Sequence, residues 1–304
     1  MQSEPQCVPC VIKQCERLVY ALRPDDKEAE ATEKIISQIR RHALEIASQL
    51  TLQDPPSKFT SQVLATVYEL LNTDDPYATV KKVQNENGKK IYGLLQKEVS
   101  KSSDPIHTAI KYAACGNIID VGPAEIYTNY NPKIPLLDEI NTLAMHPLKI
   151  DNYKIFQEKF RSAEKIVYIL DNSGEIFLDK LLIERLKGPE LSMVVKSQPI
   201  LNDAMKPDAV FAGLDSFGKI IEVNKKQKDC RYLGVDFECT TDEFNEAFDN
   251  ADIVIAKGHA NFESLVDCER DCFFILMAKC PVVAQKLGVN IKDRVFYYSP
   301  NKGD

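Results

Sequence analysis

The segment KIVYILDNSGEIFLDKLLIERL, residues 165–186, decides the fold. After Lys165 it opens with a short apolar, β-branched and aromatic run, the pattern of a strand buried on both faces. Asp171, Asn172, Ser173 and Gly174 are turn formers. From Glu175 to Leu186 the apolar residues fall at helical spacing. The texture recurs downstream in LSMVV at 191–195, DIVIA at 252–256, CFFILMA at 272–278 and RVFYYS at 294–299. A helical stretch, TDEFNEAFDNA at 241–251, sits among them. Strands alternating with helices predict an α/β protein whose three-layer α/β/α core has a mainly parallel sheet. In such sheets ligands gather beyond the carboxyl ends of the strands.

Upstream the pattern changes. Segments 8–21, 27–50, 58–73 and 78–100 carry apolar residues three and four apart, as in IISQIRRHALEIASQL, and read as amphipathic helices. RPDD at 23–26, DPPS at 54–57 and NTDDP at 72–76 separate them. The chain therefore divides into a mainly helical domain over 1–150 and an α/β/α core over 151–304, with a loose tail at SPNKGD.

Composition narrows the class. With 44% hydrophobic and 27% charged residues in 304, this is an ordinary globular chain. A net charge of −7 argues against nucleic acid or an anionic membrane as the main partner. A phosphate-bearing ligand must then be met by a local cation, either a metal or a placed lysine. The longest apolar run, Cys272 to Ala278, is far short of a membrane span. MQSEPQCVPC lacks the basic start and apolar stretch of a signal peptide, so a cytoplasmic location is expected. Nine cysteines leave at least one unpaired, and cytoplasmic thiols are expected to be reduced. Cys7 and Cys10 form a lone CxxC, with Cys15 close by. Cys268 and Cys272 complete a zinc set only if the fold brings the ends together. Cys7 and Cys10 are read as structural, or as a secondary metal site outside the main chemistry.

Three strand ends carry the polar residues. After the first, Asp171 and Asn172 offer oxygens to a hard cation beside a helix N-terminus, although capping is the plainer role for such residues. After LSMVV comes VKSQPILNDA, where Asp203 is a candidate third ligand or simply a turn former. After DIVIA comes KGHANFE, where Lys257 at the cleft mouth would meet a phosphoryl oxygen, or else face solvent. Gly258, Asn261 and Glu263 follow. His259 lies inside this segment, and the four histidines show no metal-binding spacing. No GxGxxG, Walker loop or GxSxG elbow is present.

DNSGE, VKSQPILND and AKGHANFE, in that order and preceded by CGNIID at 115–120, closely resemble the domain-of-unknown-function-89 family, also called damage-control phosphatases. The N-terminal CVPC is similar to the CxxC of its prokaryotic branch. The likeness runs over essentially the whole chain. It implies a helical N-terminal region, an α/β/α core and a metal-dependent phosphatase activity on small phosphorylated metabolites, such as sugar phosphates or damaged phospho-metabolites. It further implies a divalent cation (Mn, Ni, Co or Mg) held by Asp171, Asn172 and Asp203. Lys257 would contact phosphate, Asn261 and Glu263 would line the pocket, and Asn117 and Asp120 would reach in from the helical side. Eukaryotic members carry Tyr-Arg where this chain has Phe262-Glu263, so that branch's substrates are not carried over. Two other classes compete. A non-catalytic metabolite- or metal-binding protein is disfavoured by the intact Asp171–Asn172–Asp203 set. A carboxyl methyltransferase lacks a glycine-rich loop for its methyl donor.

Overall fold

The computed structural model describes residues 1–22, 29–51, 53–116 and 136–301. The expected turn at 23–26, the candidates Asn117 and Asp120, and the last residues of the tail lie outside these.

Three helices open the chain: α1 (Cys7–Leu22), α2 (Ala29–Gln49) and α3 (Pro56–Leu70). They bury one stripe each, including Val11, Cys15, Leu18, Ile36, Ile39, Phe59, Val63 and Val67. Pro56 stands at the first turn of α3, where its missing N–H costs nothing. Next come α4 (Ala78–Lys101), α5 (Pro105–Ala113) and α6 (Leu136–Met145). The Asp104 side chain caps α5 by accepting the His107 N–H.

The remainder runs β1 (Ile150–Asp151), α7 (Tyr153–Phe160), β2 (Lys165–Ile169), α8 (Ile176–Ile183), β3 (Glu190–Val195) and α9 (Lys206–Phe211). It continues through β4 (Lys219–Glu222), α10 (Asp242–Asp249), β5 (Ile253–Lys257), α11 (His259–Leu265), β6 (Cys272–Met277), α12 (Pro281–Leu287) and β7 (Arg294–Ser299). The seven strands lie in the order β1-β7-β6-β5-β2-β3-β4. Every pairing is parallel except β6 with β7. The chain builds outward from β2 through β3 and β4, then returns to β2's other side with β5. That reversal opens a crevice at the carboxyl ends of β2 and β5.

Alternation along the strands sorts the core into two layers. Ile166, Tyr168, Met193, Ile255 and Phe273 face α4, α5 and α8. Val167, Ile169, Val194, Val254 and Phe274 face α10, α11 and α12. The first layer draws on residues from both sides of residue 150, among them Ile91, Leu95 and Ile110. Cys230 and Cys239 form a disulfide in the loop between β4 and α10, against the expectation of reduced thiols. Their spacing in the sequence carries no signal of it. No helix among the described residues is long and apolar enough to cross a membrane.

Candidate active site

Asp171 and Asn172 follow β2, and Asp203 returns beside them from the loop after β3. Backbone bonds fix this meeting: Ala204 N–H donates to Asp171 O at 2.7 Å, and Ser173 N–H donates to Asn202 O at 2.8 Å. Asn172 and Asp203 pair as an isolated antiparallel bridge. The structure thus brings together the three residues expected to hold a cation.

Glycines let the pieces approach. At Gly258 the backbone is left-handed (φ 81°), and an added Cβ would lie 1.8 Å from Asp171 Oδ2. The Asp171 carboxylate occupies the space this glycine leaves. Gly174 is also left-handed (φ 75°), and a Cβ there would lie 2.6 Å from the Gln84 carbonyl of α4. Asn85, one residue on, accepts the Gly174 N–H at 2.8 Å and donates to Asp208 at 2.7 Å. Gln84 Oε1 accepts from Asn202 at 3.2 Å. These α4 contacts lock the loops that carry Asp171, Asn172 and Asp203, and the sequence carries no mark of them because Gln84 and Asn85 sit inside an unremarkable amphipathic helix. Gly116, at the described end of the CGNIID segment, packs so closely that a Cβ would lie 2.4 Å from Glu175 Cγ.

Lys257 corrects an expectation. Its ammonium is fully buried and does not stand at the cleft mouth. It donates to Glu175 Oε1 and Asp179 Oδ1, each at 2.6 Å, and to Ala113 O at 2.9 Å, which engages all its protons. The reason is strand alternation: Lys257 shares its face with Ile253 and Ile255, toward α8, where Glu175 and Asp179 receive it. Burial pushes the Asp179 carboxyl up to about 6 against the pull of Lys257. Burial disfavours the Lys257 ammonium, yet Asp179 and Glu175 hold its pKa above the ordinary lysine value. The N–H groups of Ser173, Gly174 and Ile176 are already bonded to Asn202 O, Asn85 Oδ1 and Asn172 O.

Asp203 lies 3.8 Å from the buried Lys196, whose ammonium also donates to the Gly234 carbonyl. Asn261 is buried and braces two strand ends, donating to Leu170 O at 3.2 Å and Lys257 O at 2.7 Å. Its Oδ1 is buried with no hydrogen-bond partner.

A cavity of about 680 Å³ opens over these strand ends. It is lined by Asp171, Asn172, Asp203, His259 and Glu263 from the core, by Lys279 and Cys280 after β6, and by residues of α1 and α3. Among the described residues lining it, Lys279 supplies the positive side chain. Sequence reading missed it, because MAKC after β6 reads as an ordinary strand end. Burial pushes the Glu263 carboxyl up to about 7, opposed by the chain's terminal ammonium and the Ser57 N–H. His259 accepts the Lys279 backbone N–H at 2.8 Å. Burial, and then Lys279, press its pKa down to about 4 from an ordinary 6.5. The folded protein therefore refuses a proton that the unfolded chain takes up. The contribution of His259 to stability should therefore be lost as pH drops from about 6.5 to about 4 and be constant above that window, while the raised carboxyls of Glu263 and Asp179 act in the opposite sense. Urea midpoints against pH check this, with the slope in that window reduced in His259→Gln.

The donor set suits a hard divalent cation. Two carboxylates and one amide line the same cavity, and Asn172 Nδ2 donates to Asp171 Oδ2 (3.0 Å) and Glu175 Oε2 (3.1 Å). Burial, then Glu175 and Asp203, drive the Asp171 carboxyl well above the usual carboxylate range, and Lys279 and Lys257 only partly offset this. Such crowded, buried negative charge is what a bound divalent cation relieves. The thiols do not build a zinc cage: among the described residues no group of three or more His, Cys, Asp or Glu side chains is arranged to hold a metal.

A doubly wound sheet with carboxylates and an amide at its switch point belongs to the α/β proteins that take their ligands beyond the carboxyl ends of the strands. Among these, this chain belongs to the family described as damage-control phosphatase ARMT1-like domain, whose model matches residues 3–295. A damage-control phosphatase of Pyrococcus horikoshii is 32% identical over 298 residues, spanning 95% of each chain. One from Archaeoglobus fulgidus is 32% identical over 97% of this chain and 98% of its own. The crystal structure of a DUF89 family protein from Pyrococcus horikoshii superposes with a TM-score of 0.83 at 30% identity, covering 98% of this chain and 99% of that one.

Proposed function

We propose that this protein is a divalent-metal-dependent phosphatase of small phosphorylated metabolites, sugar phosphates or damaged phospho-metabolites, with Mn, Ni, Co or Mg as the cation. The observation that carries the reading is the convergence of Asp171, Asn172 and Asp203 on one cavity at the sheet's switch point. The names of the relatives support the same class of reaction.

Asp171, Asn172 and Asp203 would hold the cation, which when bound polarises phosphoryl oxygens and makes water more acidic. The remaining work falls to the chain's own side chains. Lys279, which lines the cavity, meets the phosphoryl charge, the role the sequence suggests for Lys257. Lys257 instead fixes Glu175, which in turn orients the Asn172 amide. Asn261 ties the ends of β2 and β5 together beneath the site. Glu263 lines the same cavity.

Lys279→Gln should lower kcat/KM for a phosphomonoester by about a hundredfold, the scale of one lost charged contact to the transition state. Lys279→Arg should keep most of the rate, and metal affinity should hold in both. Unchanged kinetics in Lys279→Gln would place the phosphate elsewhere. A panel of phosphorylated sugars and cofactor fragments, assayed for phosphate release with each of the four metals, tests the reading as a whole.

A further inference from the structure

The cavity has a rim of thiols for which the proposed hydrolysis has no use. Cys7 opens α1 and Cys10 lies three residues on. Cys280 caps α12, its sulfur accepting the Val283 N–H at 3.4 Å. All three line the same cavity as Asp171 and Asp203. Cys10 is exposed, Cys280 half-buried and Cys7 buried. They stand close enough to feel one another's charge: Cys7 with Cys280 and Cys10, and Cys280 with Cys10. Gln14 Nε2 donates to Cys10 Sγ at 3.4 Å. The thiols also straddle a seam. Cys10 belongs to the helical front of the molecule, whereas Cys280 follows directly on Lys279 at the carboxyl end of β6.

We propose that Cys10 and Cys280 form a thiol–disulfide exchange site, whose oxidation ties α1 to the turn after β6 and closes the cavity to substrate. The bond itself stands on the geometry of the rim, while its effect on turnover rests on the phosphatase reading. Exposure makes Cys10 the point of entry. Its thiolate attacks one sulfur of a low-molecular-weight disulfide, forming a mixed disulfide and releasing one thiolate. The Cys280 thiol gives its proton to solvent, attacks Cys10 Sγ and expels the second thiolate. Two protein thiols are oxidised by two electrons, and one small disulfide is reduced to two thiols. The new bond spans the mouth and fixes the backbone next to Lys279. Cys268 and Cys272, 3.6 Å apart, lie where β6 begins, at the other end of the sheet, and take no part.

The test treats reduced, full-length protein with oxidised glutathione and digests it with trypsin without reduction. The expected product is peptide Met1–Lys13 joined to Cys280–Lys286. Oxidation should lower kcat/KM by about tenfold or more, as closing an access route does, with recovery in dithiothreitol. In Cys280→Ser the oxidised-to-reduced ratio should stay near one. Met1–Lys13 recovered with an internal Cys7–Cys10 bond, or carrying only glutathione, overturns the proposal. So does a Cys10–Cys280 cross-link that leaves kcat/KM unchanged in a protein active when reduced. Absence of hydrolysis by the reduced protein counts against the phosphatase reading instead, and the peptide map then decides the bond alone.

Discussion

Asp171→Asn is expected to lower phosphate release by about a thousandfold, the upper range for losing one preorganised charged contact in a water-poor site. The metal-free variant should be no less stable than the parent at pH 7. The side chain is nearly isosteric, and the space left by Gly258 accommodates it. The Asp171 carboxyl sits beside Glu175 and Asp203, which with burial raise its pKa. Ionised Asp171 therefore costs stability near neutrality when no cation is present, and removing its charge relieves that cost. Activity and stability part company at this residue. A thermal melt without metal, set beside a phosphate-release assay with metal, reads both, and a destabilised variant would mean that Asp171 is a structural cap.

Lys257→Met should cost about 3–5 kcal/mol of folding stability, the range for removing one partner of a buried ion pair. Glu175 and Asp179 would be left facing each other without their cation, and the Ala113 carbonyl without its donor. Adding Asp179→Asn to Lys257→Met should recover part of the loss, because it removes one of the stranded charges. Urea denaturation measures both. A lysine standing in solvent at the cleft mouth would give a change within about 1 kcal/mol, and that result would refute the buried network.

Much of this architecture is legible in the sequence because its signals are local. The run at 165–170 and the turn DNSG announce a buried strand with polar residues at its carboxyl end, and the structure puts β2 there, with Asn172 bridged to Asp203 just beyond it. The helices before residue 101 match their apolar spacing to within a few residues. What escaped depends on distant partners. β4, Lys219–Glu222, is a short mixed run that becomes a strand only by pairing with β3. Lys257 carries no mark of its burial, which is set by which face of β5 its position selects and by carboxylates on α8. Lys279 joins the cavity because β6 lies beside β5, an adjacency created by the reversal of strand order around β2. CVPC, read as remote from the chemistry, reaches the cavity rim because α1 folds over the carboxyl end of the sheet.

The central claim is that Asp171, Asn172 and Asp203 hold a cation on which hydrolysis depends. Protein stripped with a chelator and then titrated with manganese, while phosphate release from a sugar phosphate is followed, tests it most directly. The account predicts no release from the stripped protein and saturable recovery as metal is added, with recovery missing in Asp203→Ala although that variant remains folded. Equal release with and without chelator, or full metal-dependent turnover in Asp203→Ala, would contradict it.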